Sequence, residues 1–325
     1  MKHLHHRREF LASATTMAAG VAIGSQVLTS QAQETTFKTK LFKAVIAEKN
    51  TEAALEKLKA AGYDGVEGGV IGPEEAAKCR VLADKVGLRI HSVIRGWAEF
   101  NSPDKAKAQA TFDKTVLALE TAQAFGADAV LLVPCRIGGV KTPDPWDFDI
   151  EFDAQTGHLK RVVKGDNAPY AEYIKAHDHA VDTSREWVSK LIPIAEKTNV
   201  KVALENVWNN LWVKPAVFKQ FVESFGSPWI RAYFDIGNHV KYAPSEEWIT
   251  TLGGLIVKLH AKDFKVDRAA KSGGKFVNIR EGDVNWPLVR QALEKVGYTG
   301  FLTIEGGQCT LEENSQRLSL IFGGK

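Results

Sequence analysis

Val202-Ala-Leu-Glu205-Asn206 is a short β-rich run that ends on a carboxylate, and the same phrase returns three times: Tyr233-Phe-Asp235-Ile-Gly237, Val257-Lys-Leu-His260-Ala-Lys-Asp263 and Leu302-Thr-Ile-Glu305-Gly306. One acidic residue or histidine at a strand end is usually a cap or a loop contact. Four in succession at equivalent positions converge if the strands are neighbours in a closed parallel sheet, whose strand ends all open on one mouth.

The rest of the chain has the rhythm such a sheet needs. Short β-rich runs cover 41–47, 65–70, 89–94, 129–134, 200–205, 232–236, 256–260 and 301–305, with helical segments between them. From Thr51 to Ala61, the residues Ala54, Leu55, Leu58 and Ala61 share one helical face and Gly62 follows as a terminator. Helix, glycine and strand recur at Phe125-Gly126 and Val296-Gly297. Eight parallel strands with crossover helices predict a single-domain (β/α)8 TIM barrel, with an open doubly wound sheet as the alternative. One long departure follows the fourth strand, at residues 136–170. There Phe148–Asp153 and His158–Val163 flank Ala154-Gln-Thr-Gly157, which predicts a β-hairpin on the rim, placed to cover substrate.

Residues 1–32 read as a removable leader. Arg7-Arg8 before Phe10-Leu11, an apolar stretch from Ala12 to Leu28, and the small-x-small site Ser30-Gln-Ala32 form a twin-arginine signal with cleavage after Ala32. Thr15, Thr16, Gly20 and Gly24 make the stretch only mildly apolar, which argues against a stable membrane anchor. The twin-arginine export machinery is therefore the expected partner, and the barrel, residues 33–325, is expected in the periplasm or outside the cell. The chain carries 42 basic and 39 acidic residues, and the leader takes Lys2, Arg7, Arg8 and Glu9 with it. The nearly neutral remainder gives no electrostatic case for nucleic acid or a membrane surface. Cys79, Cys135 and Cys309, odd in number and widely spaced, form neither a disulfide framework nor a zinc knuckle. A homo-oligomer is compatible with the sequence.

On such a barrel Glu205, Asp235, His260 and Glu305 point into the mouth from strands five to eight. Three carboxylates and one imidazole suit one divalent ion, Mn2+ first, with Mg2+, Co2+ or Zn2+ as alternatives, and leave positions for substrate oxygens. Lys262, two residues past His260, lies on the same face and could donate to a developing oxyanion, or instead pair with Asp263. Glu67 after strand two, His91 and Trp97 are candidate contacts to a polyol, being polar groups beside an aromatic platform.

These residues resemble the xylose-isomerase-like TIM-barrel superfamily of sugar isomerases and epimerases. The likeness covers nearly the whole chain after the leader. It is carried by Ala203-Leu-Glu-Asn206, Phe234-Asp-Ile-Gly-Asn238, His260-Ala-Lys-Asp263, Glu281-Gly-Asp-Val-Asn285 and Thr303-Ile-Glu-Gly306. The resemblance implies that Glu205, Asp235, His260 and Glu305 bind the ion and that Glu205 and Glu305 double as the proton-transferring pair. It implies a metal-dependent sugar isomerase or epimerase working through a metal-stabilised enediolate. The 3-epimerases of this superfamily carry a substrate-contacting histidine three residues after the sixth-strand aspartate. This chain has Asn238 there and His239 next, so both enter as candidate substrate contacts.

Two other functions compete with isomerisation. A lyase acting on 3-keto sugars or glycosides would use the same site, since an enediolate can also expel a β-leaving group. A non-catalytic sugar-binding barrel would use its shape alone. A nuclease of the endonuclease IV type would need histidines where Asn238 and Cys135 stand.

Overall fold

The computed structural model describes residues 37–47 and 50–325, so the expected twin-arginine leader and cleavage site lie outside the described residues. In chain order the strands are β1 (Leu41–Ile46), β2 (Gly65–Gly69), β3 (Arg89–Trp97), β4 (Ala129–Val133), β5 (Glu151–Phe152), β6 (Leu159–Arg161), β7 (Lys201–Glu205), β8 (Ile230–Asp235), β9 (Ile256–Ala261), β10 (Asp263–Val266), β11 (Gly274–Val277) and β12 (Gly300–Ile304). The helices are α1 (Glu52–Ala60), α2 (Pro73–Val86), α3 (Lys105–Phe125), α4 (Ala171–Thr198), α5 (Pro215–Glu223), α6 (Ser245–Leu252), α7 (Trp286–Lys295) and α8 (Leu311–Phe322). Eight strands close a parallel barrel in the order β1-β12-β9-β8-β7-β4-β3-β2, and β5–β6 and β10–β11 are separate two-stranded hairpins. The expected (β/α)8 barrel is the fold.

Local chemistry sets where the helices begin and end. The Thr51 hydroxyl accepts from Ala54 N at the start of α1, and Asp104 accepts from Ala106 N at the start of α3. Thr310 and Glu313 form a reciprocal capping box on α8. Gly126 ends α3 in the left-handed conformation, at φ 74°, which a residue with a Cβ adopts only under strain. Inside the barrel the two-residue period of the strands decides what is buried where. Ala129, Leu131 and Val133 of β4 meet Ala203 and Tyr233 in the interior, whereas Val130 and Leu132 join the layer between strands and helices.

The two hairpins depart from expectation in different ways. The 136–170 insertion does form the β5–β6 hairpin, but its tip is not over the mouth. Gln220 Nε2 donates to Ala154 O (3.1 Å), Arg185 Nη2 to Thr156 O (2.8 Å) and Leu159 N to Asp178 Oδ1 (2.9 Å), which lays the hairpin along α4 and α5 on the outer wall. Only the first part of the insertion stays on the rim, where the Arg268 guanidinium stands 5.3 Å from the Trp146 ring.

The second excursion, β10–β11, follows β9 and was not anticipated. It is held by the buried Asp263 carboxylate, which accepts from Phe264 N (2.9 Å), Arg280 N (2.8 Å), Val284 N (3.2 Å) and the Trp286 indole (2.9 Å). Gly282 passes so close that a Cβ there would overlap this carboxylate. The hairpin tip is tied to the neighbouring rim loop by Lys241, whose Nζ donates to Ser272 O at 2.9 Å.

Candidate functional site

β7, β8, β9 and β12 are consecutive neighbours in the barrel, so their ends form one arc. Alternation along β7 and β8 turns Glu205 and Asp235 inward, two residues beyond the interior Ala203 and Tyr233. Asp235 is in register with His260 across the β8–β9 pair. Glu205, Asp235, His260 and Glu305 each bring a ligand atom to one point, with all four atoms within 4.8 Å of one another.

The cluster is densely charged, with the His260 imidazole and the Lys262 ammonium set among three carboxylates. Asp235 Oδ2, His260 Nδ1 and Glu305 Oε2 are buried and meet no well-aligned hydrogen-bond partner, their close contacts being the ionic ones among themselves and with Lys262. His260 Nδ1 stands 2.7 Å from Glu305 Oε2, 3.6 Å from Glu205 Oε1 and 4.0 Å from Asp235 Oδ2. The other ring nitrogen, Nε2, is held at 2.6 Å by Glu67 Oε2, and this fixes the ring with Nδ1 toward the carboxylates. A neutral imidazole in that tautomer adds a lone pair to three carboxylates, a hard, mostly oxygen donor set that a divalent ion satisfies.

Without an ion the same crowding displaces the titrations. Burial raises Asp235 to about 7, with Glu305 and Glu205 adding to the shift and Lys262 opposing it. Burial likewise raises Glu205, against the pull of His260. Burial would also raise Glu305, but His260 and Lys262 outweigh it and hold this carboxyl well below the usual range. Burial opposes protonation of His260, yet Tyr233, Glu305 and Glu67 together hold its pKa well above the ordinary value.

Of the other candidate residues, Lys262 and Asn238 belong to the cluster. Lys262 Nζ lies 2.9 Å from Glu305 Oε1 and 3.3 Å from Asp235 Oδ2, and donates to Asn238 Oδ1 (3.3 Å). The alternative pairing with Asp263 does not form, because that carboxylate is spent on the hairpin. Asn238 Nδ2 donates to Asn206 O (3.0 Å) and reaches Glu205 Oε1 at 3.4 Å.

Glu67, His91 and His239 lie elsewhere. Glu67 is fully buried in mid-strand, accepting from Ser92 Oγ (2.8 Å) as well as holding His260, so it supports a ligand and is not open to substrate. His91 is also fully buried, stacked on Phe301 at 4.2 Å and hydrogen-bonded to Thr303 Oγ1 at 3.0 Å. Burial holds its pKa well below the ordinary value, so the ring is neutral. His239 turns away from the mouth, onto Trp248 and Tyr242, with Nε2 on Val207 O (3.0 Å). Trp97 is on the rim as expected, 40% exposed, with the Arg136 guanidinium 4.0 Å from its ring. It lines a separate cavity of about 650 Å3 with Glu99, Asn101 and Arg136.

One residue in a quoted motif was given no role. Asn206 Oδ1 accepts from Asp235 N (2.6 Å) while its Nδ2 donates to Asp235 O (2.8 Å), so it pins the end of β8 and with it the ligand. Its adjacency to Glu205 was the only signal in the sequence. A cavity of about 570 Å3 opens beside Glu305 and Lys262, walled by the β10–β11 hairpin and the Gly306-Gly307-Gln308 loop. Among the described residues no helix is long and apolar enough to cross a membrane.

Residues 55–318 match the family described as xylose isomerase-like TIM barrel. An uncharacterized protein of Methanocaldococcus jannaschii, MJ1311, is 30% identical over 134 residues, 38% of this chain and 43% of that protein. The chain thus matches less than half the length of that curated relative. Among solved structures, a D-tagatose 3-epimerase-like protein aligns with a TM-score of 0.64 at 19% identity, over 86% of this chain and 98% of that one. A 3-keto-D-glucoside 4-epimerase from E. coli in its apo form aligns with a TM-score of 0.62 at 12% identity, over 87% and 99%. A D-psicose 3-epimerase studied with D-fructose aligns with a TM-score of 0.58 at 15% identity, over 85% and 89%. At these identities the likeness establishes the fold.

Proposed function

The chain belongs to the xylose isomerase-like TIM barrel family, and we propose that it is a divalent-metal-dependent sugar isomerase or epimerase in which Glu205 and Glu305 move the proton. The observation that carries the proposal is the convergence of one candidate ligand atom each from Glu205, Asp235, His260 and Glu305, all within 4.8 Å of one another at the strand ends. This donor set fits one divalent ion, Mn2+ being our first choice. A bound ion would supply electrophilic polarisation of a sugar carbonyl.

The chain's own residues supply the rest. β7 and β12 bracket β8 and β9, so Glu205 and Glu305 occupy the two ends of the arc and can serve a sugar from two sides. They are also electrostatically unlike, burial raising Glu205 while His260 and Lys262 hold Glu305 low. That division belongs to the ion-free site, since a bound divalent ion would draw both carboxylates down. Lys262 donates toward Glu305 and Asp235 and is placed to share its ammonium with a substrate oxyanion.

Residues 1–32, if they act as the leader their sequence suggests, would export the chain and bring the enzyme free or glycosidic sugars. The likeness to a 3-keto-D-glucoside 4-epimerase brings 3-keto sugars into the test. On those, the same abstraction leads to loss of a β-leaving group, which is the lyase alternative.

The experiment is to assay the Mn2+-loaded protein against free and 3-keto sugars in D2O, following carbon-bound deuterium by NMR. Deuterium in an isomerised or epimerised product supports the proposal. An eliminated product instead identifies a lyase, and sugar binding without turnover on any of them leaves a sugar-binding barrel.

A further inference from the structure

The cavity of about 570 Å3 shares only Glu305 and Lys262 with the metal cluster, and Glu205, Asp235 and His260 are not among its lining residues. It opens on Glu305, so the reacting sugar and whatever is attached to it would share this one space. Cavities of about 300–1,000 Å3 accommodate drug-sized ligands, larger than one hexose.

The far wall is built around Phe276 of β11. Its ring is 45% exposed, unusual for a large apolar side chain beside a polar centre. The ring is not loose: Trp208 stacks on it at 5.1 Å and 24°, and Phe264 meets it edge-on at 5.1 Å. Lys262 Nζ, 2.9 Å from Glu305 Oε1, is also 5.0 Å from the Phe276 centroid, so one ammonium spans the carboxylate and the aromatic wall.

Polar groups line the same cavity. Asn278 anchors the opposite loop through Gln308 N (2.7 Å) and donates to Glu281 (3.0 Å), while Lys275 lines the same wall. Across from them Gly306, at φ 76°, presents bare backbone, with open space where a side chain would stand. A partly exposed aromatic side chain in a wall that also carries donors and acceptors is the kind of surface that takes the C–H face of a pyranose or the ring of an aglycone.

We infer that this cavity is a second-ring subsite, and that the substrate is a glycoside whose outer ring stacks on Phe276 while its reacting sugar sits at the metal cluster. The inference deepens the carbohydrate reading of the site and rests on it. Phe276 is thereby a specificity-determining residue and stands apart from the proton-transferring pair.

The test is calorimetric binding of D-glucose, D-galactose and the α- and β-phenyl glycosides of each to the Mn2+-loaded full chain and to its Phe276→Ala and Phe276→Trp variants. A phenyl glycoside should bind at least about tenfold more tightly than its free sugar, in keeping with a stacked aromatic pair plus its buried area. Phe276→Ala should abolish that preference and Phe276→Trp keep it, with the metal content of both variants unchanged. Equal binding of sugar and glycoside, or a preference that survives Phe276→Ala, overturns the subsite while leaving a sugar site intact. Binding of none of these ligands overturns the subsite together with the carbohydrate reading.

Discussion

Glu67 Oε2 holds His260 Nε2 at 2.6 Å in the closed interior of the barrel, with both side chains at most 1% exposed. This contact decides which nitrogen of the imidazole faces the carboxylates, and so whether His260 is a ligand at all. Glu67→Gln keeps the shape but weakens the acceptor. It should lower divalent-ion affinity by about 10–100-fold, the usual cost of losing a ligand's supporting partner. Isothermal titration with Mn2+ measures it, and an unchanged affinity would remove Glu67 from the account.

The ion should protect the fold more strongly as pH rises. Asp235, raised to about 7 from an ordinary 3.8, contributes to the stability of the ion-free protein below about pH 4 and loses that contribution as pH climbs through about 7. His260, also raised, acts in the same direction. An ion needs both groups deprotonated and makes good what they lose, so the Tm gain from a fixed free Mn2+ concentration should be larger at about pH 8 than at about pH 5.5. A differential scan at the two pH values checks this, and an equal gain would contradict it.

Gly282→Ala should disturb the mouth from outside it. The new methyl would overlap the Asp263 carboxylate that gathers Phe264, Arg280, Val284 and Trp286. Overpacking of this kind costs about 1–3 kcal/mol. Chemical denaturation should register it, and a variant as stable as the parent would show that the knot is slack.

Replacing the β5–β6 tip, residues 153–158, by a short turn should lower Tm and leave KM near its original value. The tip's contacts are with Arg185 of α4 and Gln220 of α5, on the outer wall. A raised KM with an unaltered Tm would return the hairpin to the role of a lid.

The four candidate ligands were legible because each ends an apolar run, and a closed parallel sheet allows such ends only one place to meet. Glu67 and His91 were misjudged by depth. Both are inward-facing, but they stand inside their strands and not at the ends, and a two-residue period tells direction without telling height. His239 was misjudged by direction, since the turn through Gly237 and Asn238 swings it onto Trp248. The β10–β11 hairpin escaped notice because the carboxylate that organises it, Asp263, gathers donors as far along the chain as Arg280 and Trp286. Phe276 was hidden with it, in a glycine- and lysine-rich segment that lacks apolar periodicity.

The central claim is that Glu205, Asp235, His260 and Glu305 hold one divalent ion, and metal analysis of the purified protein after Mn2+ loading and desalting tests it most directly. The wild-type chain should retain one ion per chain. Asp235→Asn and His260→Ala should each lose it while keeping the circular dichroism of a folded barrel. A wild-type protein that retains no ion, or full occupancy in both variants, would contradict the account.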